Sequence, residues 1–136
     1  KAAWQAFLNR GKMEVTFKTD EEQITSQAAM VVLANATMYG TGVKINPEGK
    51  LDDDVFEVIL VKEFSVMEIL KIRFTSLPFN PNKIETFKTR ELSITTKKRV
   101  HFQVDGEYMG KVSRIAAEII TDAIKIIVPA TDNEPQ

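Results

Sequence analysis

Apolar and polar residues alternate with a period of two along most of this chain, and only one long segment breaks that rhythm. Met13, Val15 and Phe17 take one side of residues 13–18, while Glu14, Thr16 and Lys18 take the other. Val100, Phe102 and Val104 alternate in the same way with Arg99, His101 and Gln103. Successive side chains of a strand point to opposite faces, so this pattern predicts strands with one face in a core. Further strands are expected from about Gln23, over residues 55–61 (Val-Phe-Glu-Val-Ile-Leu-Val), near 83–88, over 91–96, and as a closing pair, 112–120 and 123–129, around Thr121-Asp122. Residues 28–33 form a continuous apolar run, which suits a strand covered on both sides.

The exception to the period of two is residues 64–77, where apolar residues fall at helical spacing. Ser65 can cap a helix with Glu68 three residues on, and Phe64 and Ile69 stand where a hydrophobic staple requires them. Pro78 ends it, because the residue before a proline is pushed out of the α region. This spacing predicts one long helix over about 65–77. A short N-terminal helix is expected over residues 2–8, where Ala3, Trp4, Phe7 and Leu8 share a face and Gly11 follows as a stop. Seven to ten short strands with so little βαβ alternation favour a mainly β fold, a two-layer antiparallel β-sandwich, over a parallel α/β sheet. The 136 residues fit one domain, 1–136. The chain opens on Lys1 within a helix-like segment, and it is expected to be a piece of something larger.

Charge and composition narrow the function. A formal net charge of −1 supplies no basic field for nucleic acid and no overall pull toward anionic membranes. With no Cys, disulfides, thiolate metal sites and a Cys nucleophile are all excluded. The longest apolar runs fall far short of the roughly 20 residues that span a bilayer. The single His, His101, lies on the polar face of a strand and reads as an exposed residue with no assigned role. Gly40-Thr41-Gly42 opens no helix and is followed by no Gly-Lys-Ser/Thr, so it reads as a tight turn rather than a phosphate cradle.

Two acidic turns remain. Lys50-Leu51-Asp52-Asp53-Asp54 crowds three carboxylates ahead of a strand. It is either a solvated turn or an oxygen site for a hard cation such as Mg²⁺ or Ca²⁺, without the spacing of an EF-hand loop. Asp105-Gly106 signals a hairpin, because both residues tolerate the positive φ of a type I′ turn, and Glu107 is the first polar residue of the returning strand. Glu107 is either an ordinary turn residue or a carboxylate whose acid/base partner comes from elsewhere.

The order of these elements resembles one family. A strand over residues 28–35, Tyr39-Gly40-Thr41-Gly42, Asn46-Pro47, Lys50-Leu51-Asp52-Asp53-Asp54, a strand over 55–61, a helix, and Val104-Asp105-Gly106-Glu107 look like the C-terminal domain of the diacylglycerol kinase and sphingosine kinase superfamily. The soluble bacterial lipid kinases are the most similar group, and the resemblance runs from about residue 12 to residue 130. It implies a β-sandwich that completes a cleft against an N-terminal ATP-binding domain carrying a Gly-Gly-Asp-Gly-Thr motif, which this chain lacks. It implies that Glu107 is catalytic, ordering Mg²⁺ and its waters or assisting deprotonation of the lipid hydroxyl, with Asp105 in support. It implies a structural Mg²⁺ held by the Asp53 side chain and the backbone carbonyls of Lys50 and Val55. One departure is Asp54, which stands where the family usually has Gly, a residue suited to positive φ. The Tyr39-Gly40-Thr41-Gly42 loop departs as well, and no lipid contact is assigned to it.

The activity implied is phosphoryl transfer from ATP to a lipid alcohol. Its partners would be the chain's own N-terminal domain, a transient membrane surface, and a second copy through the sandwich, with no nucleic acid. The setting implied is the cytoplasm, peripheral to the membrane. The chain alone is expected to be inactive. The alternative reading is a free-standing β-sandwich module that binds lipid or carbohydrate without catalysis.

Overall fold

The computed structural model describes residues 11–19, 21–38, 46, 49–63, 80–125 and 127. They form seven strands: β1 (Met13–Lys18), β2 (Gln23–Ala28), β3 (Met30–Ala34), β4 (Phe56–Val61), β5 (Ile84–Thr89), β6 (Glu91–Val104) and β7 (Glu107–Glu118). The strands make two antiparallel sheets, ordered β2-β1-β6-β7 and β3-β4-β5. The described residues are therefore all-β, as the alternation predicts. The helices expected over 65–77 and 2–8 lie outside the described residues, as do Gly40-Thr41-Gly42, Pro78 and the segment from residue 128 onward.

The sheets meet through the residues that the period of two selects. Val15 and Phe17 of β1, Ala28 of β2, and Leu92 and Ile94 of β6 pack with Phe56, Val58 and Leu60 of β4 in one buried cluster. Phe17, 1% exposed, meets Phe87 edge-on, with ring centroids 5.7 Å apart at 82°. Strand β4 is buried along its whole length. Its other face, Ile59 and Val61, packs with Ile84 and against Met30, Val32 and Ala34. A strand buried on both faces has no polar face to keep, which explains the near-continuous apolar run over 55–61.

Three expected elements differ from what is observed. The apolar run over 28–33 is not one strand covered on both sides. Ala28 ends β2 in the first sheet, and β3 begins the edge of the second with half-buried residues. The chain crosses between sheets at Ala29, whose N–H donates to the Val61 carbonyl at 2.8 Å. That crossing resets the alternation, so Ala28 and then Val31 and Leu33 reach the same core, and the run looks unbroken.

The strands expected over 91–96 and 99–104 are a single strand, β6. Thr95 faces Arg114 and Val100 faces Val112, so residues 96–99 lie across from Ser113 alone. Such a bulge shifts the side-chain pattern and mimics a gap between two strands. Thr96 Oγ1 donates to the Lys98 carbonyl at 2.8 Å, and Arg99 Nε donates to the Lys111 carbonyl at 3.0 Å, which ties the bulge down. Finally, the segment expected to begin at 112 begins at Glu107 and pairs with β6. Thr121-Asp122 is a turn, with Asp122 at φ 55°, but residues 123–125 are not strand.

A second irregularity in the β6–β7 pair lies close to the hairpin tip. Gly110 faces Phe102 and Tyr108 faces Gln103, which leaves Met109 as the extra residue. Gly110 has φ 92°, and a Cβ there would meet nothing within 4 Å. The cost of a side chain is therefore backbone strain alone. Gly110→Ala is expected to lower stability by about 1–2 kcal/mol, seen as a lower urea midpoint at unchanged slope. An unchanged midpoint would show that the bulge does not need positive φ.

Candidate functional site

The β6–β7 hairpin reaches past the sheet that supports it. Strand β1 pairs with β6 only at residues 93–96. Beyond the bulge, residues 100–104 pair with residues 107–112 alone, as a two-stranded ribbon. A lone hairpin is marginally stable in water, so an overhanging ribbon suits a surface that another body covers. Its apolar tip points the same way: Val104 is 47%, Tyr108 54% and Met109 58% exposed.

The turn that closes the ribbon is the one the sequence predicts. Asp105 has φ 47° and Gly106 φ 92°. Positive φ at both central residues is the type I′ geometry, whose twist matches that of the flanking strands. Glu107 opens β7 directly opposite Val104 and is exposed. Opposed residues of an antiparallel pair share a face, so Glu107 lies on the face of Val104 and Phe102. The other face carries His101 and Tyr108, whose Nδ1 and Oη are 3.0 Å apart with ring centroids at 5.6 Å. His101 is thus an exposed strand residue, but one that fastens the two strands of the ribbon next to Glu107.

The second acidic turn sits on the other sheet, ahead of β4, so the structure keeps the two sites on separate supports. Glu57, near the start of β4, is 1% exposed, and Lys88 stands opposite it on β5. Lys88 Nζ lies 3.0 Å from Glu57 Oε1 and 3.2 Å from Asp53 Oδ2. Glu57 Oε2 accepts a 2.6 Å hydrogen bond from Asn46 Nδ2, and Asn46 is 2% exposed. The Glu57 carboxylate and then that of Asp53 push the Lys88 ammonium above its usual pKa. Thr37 Oγ1 donates to the Gly49 carbonyl and Gly49 N–H to the Asn46 carbonyl, closing the loop around Asn46.

Asp54 resolves the departure noted in the sequence. It adopts φ 56°, the conformation a Gly would favour, which Asp tolerates better than most residues. Arg90 Nη2 lies 3.9 Å from its Oδ2. Lys50 is exposed and Val55 half-buried, on either side of Asp53 along the chain. Among the described residues, no three or more His, Asp or Glu side chains converge as metal ligands. Asp53 Oδ1 is buried without a hydrogen-bond partner, whereas Oδ2 already holds an ammonium. An ion on Oδ1 would therefore stand beside a like charge.

Sequence reasoning missed Asn46, Glu57 and Lys88 as members of this cluster. A signal for Glu57 was present, since a lone carboxylate inside an apolar strand is rarely buried unless paired. Nothing in the sequence pointed to Lys88, which lies 35 residues from Asp53 and reaches it only through strand register.

The family model that matches this chain, over residues 1–128, is the YegS C-terminal NAD kinase beta sandwich-like domain. A diacylglycerol kinase of Staphylococcus saprophyticus is 24% identical over 103 residues, which is 74% of this chain and 34% of that protein. The chain thus spans about a third of the curated relative it matches. A crystal structure of a candidate diacylglycerol kinase from Bacillus anthracis str. Sterne superposes with a TM-score of 0.63 at 20% identity, over 79% of this chain and 37% of that one. Another crystal structure from that organism, of a diacylglycerol kinase, gives a TM-score of 0.60 at 17% identity, over 85% of this chain and 43% of the other. At these identities the structural likeness speaks for the fold.

Proposed function

This chain belongs to the family of YegS C-terminal NAD kinase beta sandwich-like domains, and from that premise we propose that it is the C-terminal domain of an ATP- and Mg²⁺-dependent lipid kinase of the diacylglycerol kinase type. The observation that carries the reading is the overhanging ribbon. It ends in a carboxylate, Glu107, on a turn whose two central residues both have positive φ, next to exposed Val104, Tyr108 and Met109. One turn carboxylate does not make a phosphoryl-transfer site, and an ATP-binding domain docked on the ribbon would supply the rest of it.

In this scheme the lipid hydroxyl oxygen bonds to the γ-phosphorus of ATP as the bond to ADP breaks. Mg²⁺ bound with ATP offsets the negative charge of the phosphates. Glu107 takes the hydroxyl proton, or holds the waters that surround the ion. Asp105 does not touch the reacting atoms; it shapes the turn that fixes where Glu107 stands. The lipid is met at a membrane surface on which a cytoplasmic enzyme docks transiently. Phosphoryl transfer depends largely on such positioning.

The test compares two proteins. Incubated with ATP, Mg²⁺ and diacylglycerol vesicles, a longer protein carrying this chain is expected to form phosphatidic acid, and this chain alone is not. Product from the chain alone would contradict a site shared between domains. No product from either would favour a β-sandwich module that binds lipid or carbohydrate without catalysis.

A further inference from the structure

The charged cluster around Glu57 bears on how the Asp53 loop is held, independently of any kinase activity. Glu57 cannot leave: it lies near the start of β4, 1% exposed, with Asn46 fixing one oxygen. A carboxylate buried this deeply needs a cation within reach. Strand register places Lys88 directly across from it, and the same ammonium extends to Asp53 Oδ2. One lysine therefore serves two carboxylates, one buried in the sheet and one at the end of the loop.

We propose that the Lys88 ammonium is the resident cation of the Asp53 loop, so that this chain holds the loop against β4 and β5 without a divalent ion. Two features of the loop support this. A divalent ion on Asp53 would face Lys88 across a single carboxylate, and the two positive charges repel. Mg²⁺ also keeps several waters in an octahedral shell, whereas the Asp53 oxygen left without a hydrogen-bond partner, Oδ1, is buried away from solvent. The positive φ of Asp54 and the Arg90 guanidinium 3.9 Å from its carboxylate hold the same end of the loop.

The experiment is thermal unfolding of this chain in EDTA, in millimolar MgCl₂ and in millimolar CaCl₂. The wild-type Tm is expected to be the same in all three. Lys88→Met strands the buried Glu57 charge, and its Tm in EDTA is expected to fall by roughly 10 °C. Part of that loss is expected to return with either ion, which enters the place the ammonium left. Lys88→Arg keeps the charge and is expected to stay indifferent to both ions. If Lys88→Met does not fold, Lys88→Gln retains a donor without the charge and is read the same way. A wild-type Tm that rises with Mg²⁺ or Ca²⁺, and stops rising in Asp53→Asn, would overturn the proposal. So would a Lys88→Met variant as stable as wild type, or one destabilised yet indifferent to both ions.

Discussion

Phe17→Ala is expected to remove about 3–5 kcal/mol of folding stability, a large part of the roughly 5–15 kcal/mol that a domain has in total. Phe17 heads the fully buried side chains by volume and lies on β1, between β2 and β6 in the four-stranded sheet. Its ring spans the gap between sheets to meet Phe87 on β5. Truncation would leave a cavity walled by strands of both sheets, which their hydrogen-bonded ladders hold apart. Collapse can therefore recover little of the loss. Chemical denaturation should show the variant unfolding at far lower urea, or failing to fold. Met109→Ala, at an exposed tip residue, is expected to stay within about 0.5 kcal/mol of wild type. If Phe17→Ala were equally mild, the two sheets would not share the core described here.

Much of this architecture was legible because burial and strand period coincide. Val15 and Phe17 were placed on one side of β1 by alternation alone, and both are buried. The pattern failed where the backbone changes phase. Crossing between sheets at Ala29 turned two half-buried pieces into one apolar run, and the bulge over residues 96–99 made one long strand look like two. A sequence shows the side-chain rhythm, but not whether a break in it ends a strand or only shifts its register.

The two acidic turns divide along the same line. Asp105-Gly106 was readable because a type I′ turn makes a local demand that few residue pairs meet, and both residues show the positive φ it requires. Positive φ at Asp54 was signalled only by the resemblance, which has Gly at that place. The Asp53 cluster was not, because Glu57, Lys88 and Asn46 come together through pairing of distant strands and a long loop. Local chemistry is written in neighbouring residues, whereas a charge network is written in the register.

The functional reading rests on Glu107, and one substitution separates its chemistry from its place in the fold. Glu107→Gln removes the negative charge at nearly constant shape from an exposed position, so folding should be unaffected. Asp105→Asn is the companion variant, because Asn also tolerates the positive φ of this turn. The measurement is kcat for phosphatidic acid formation by a longer protein carrying this chain, with KM for ATP and Tm recorded alongside. Glu107→Gln is expected to lower kcat by about 10²–10⁴-fold, with Tm unchanged and KM for ATP little altered, while Asp105→Asn loses far less. If that protein makes phosphatidic acid and Glu107→Gln turns over at close to the wild-type rate, Glu107 lies outside the active site and the ribbon does not complete it.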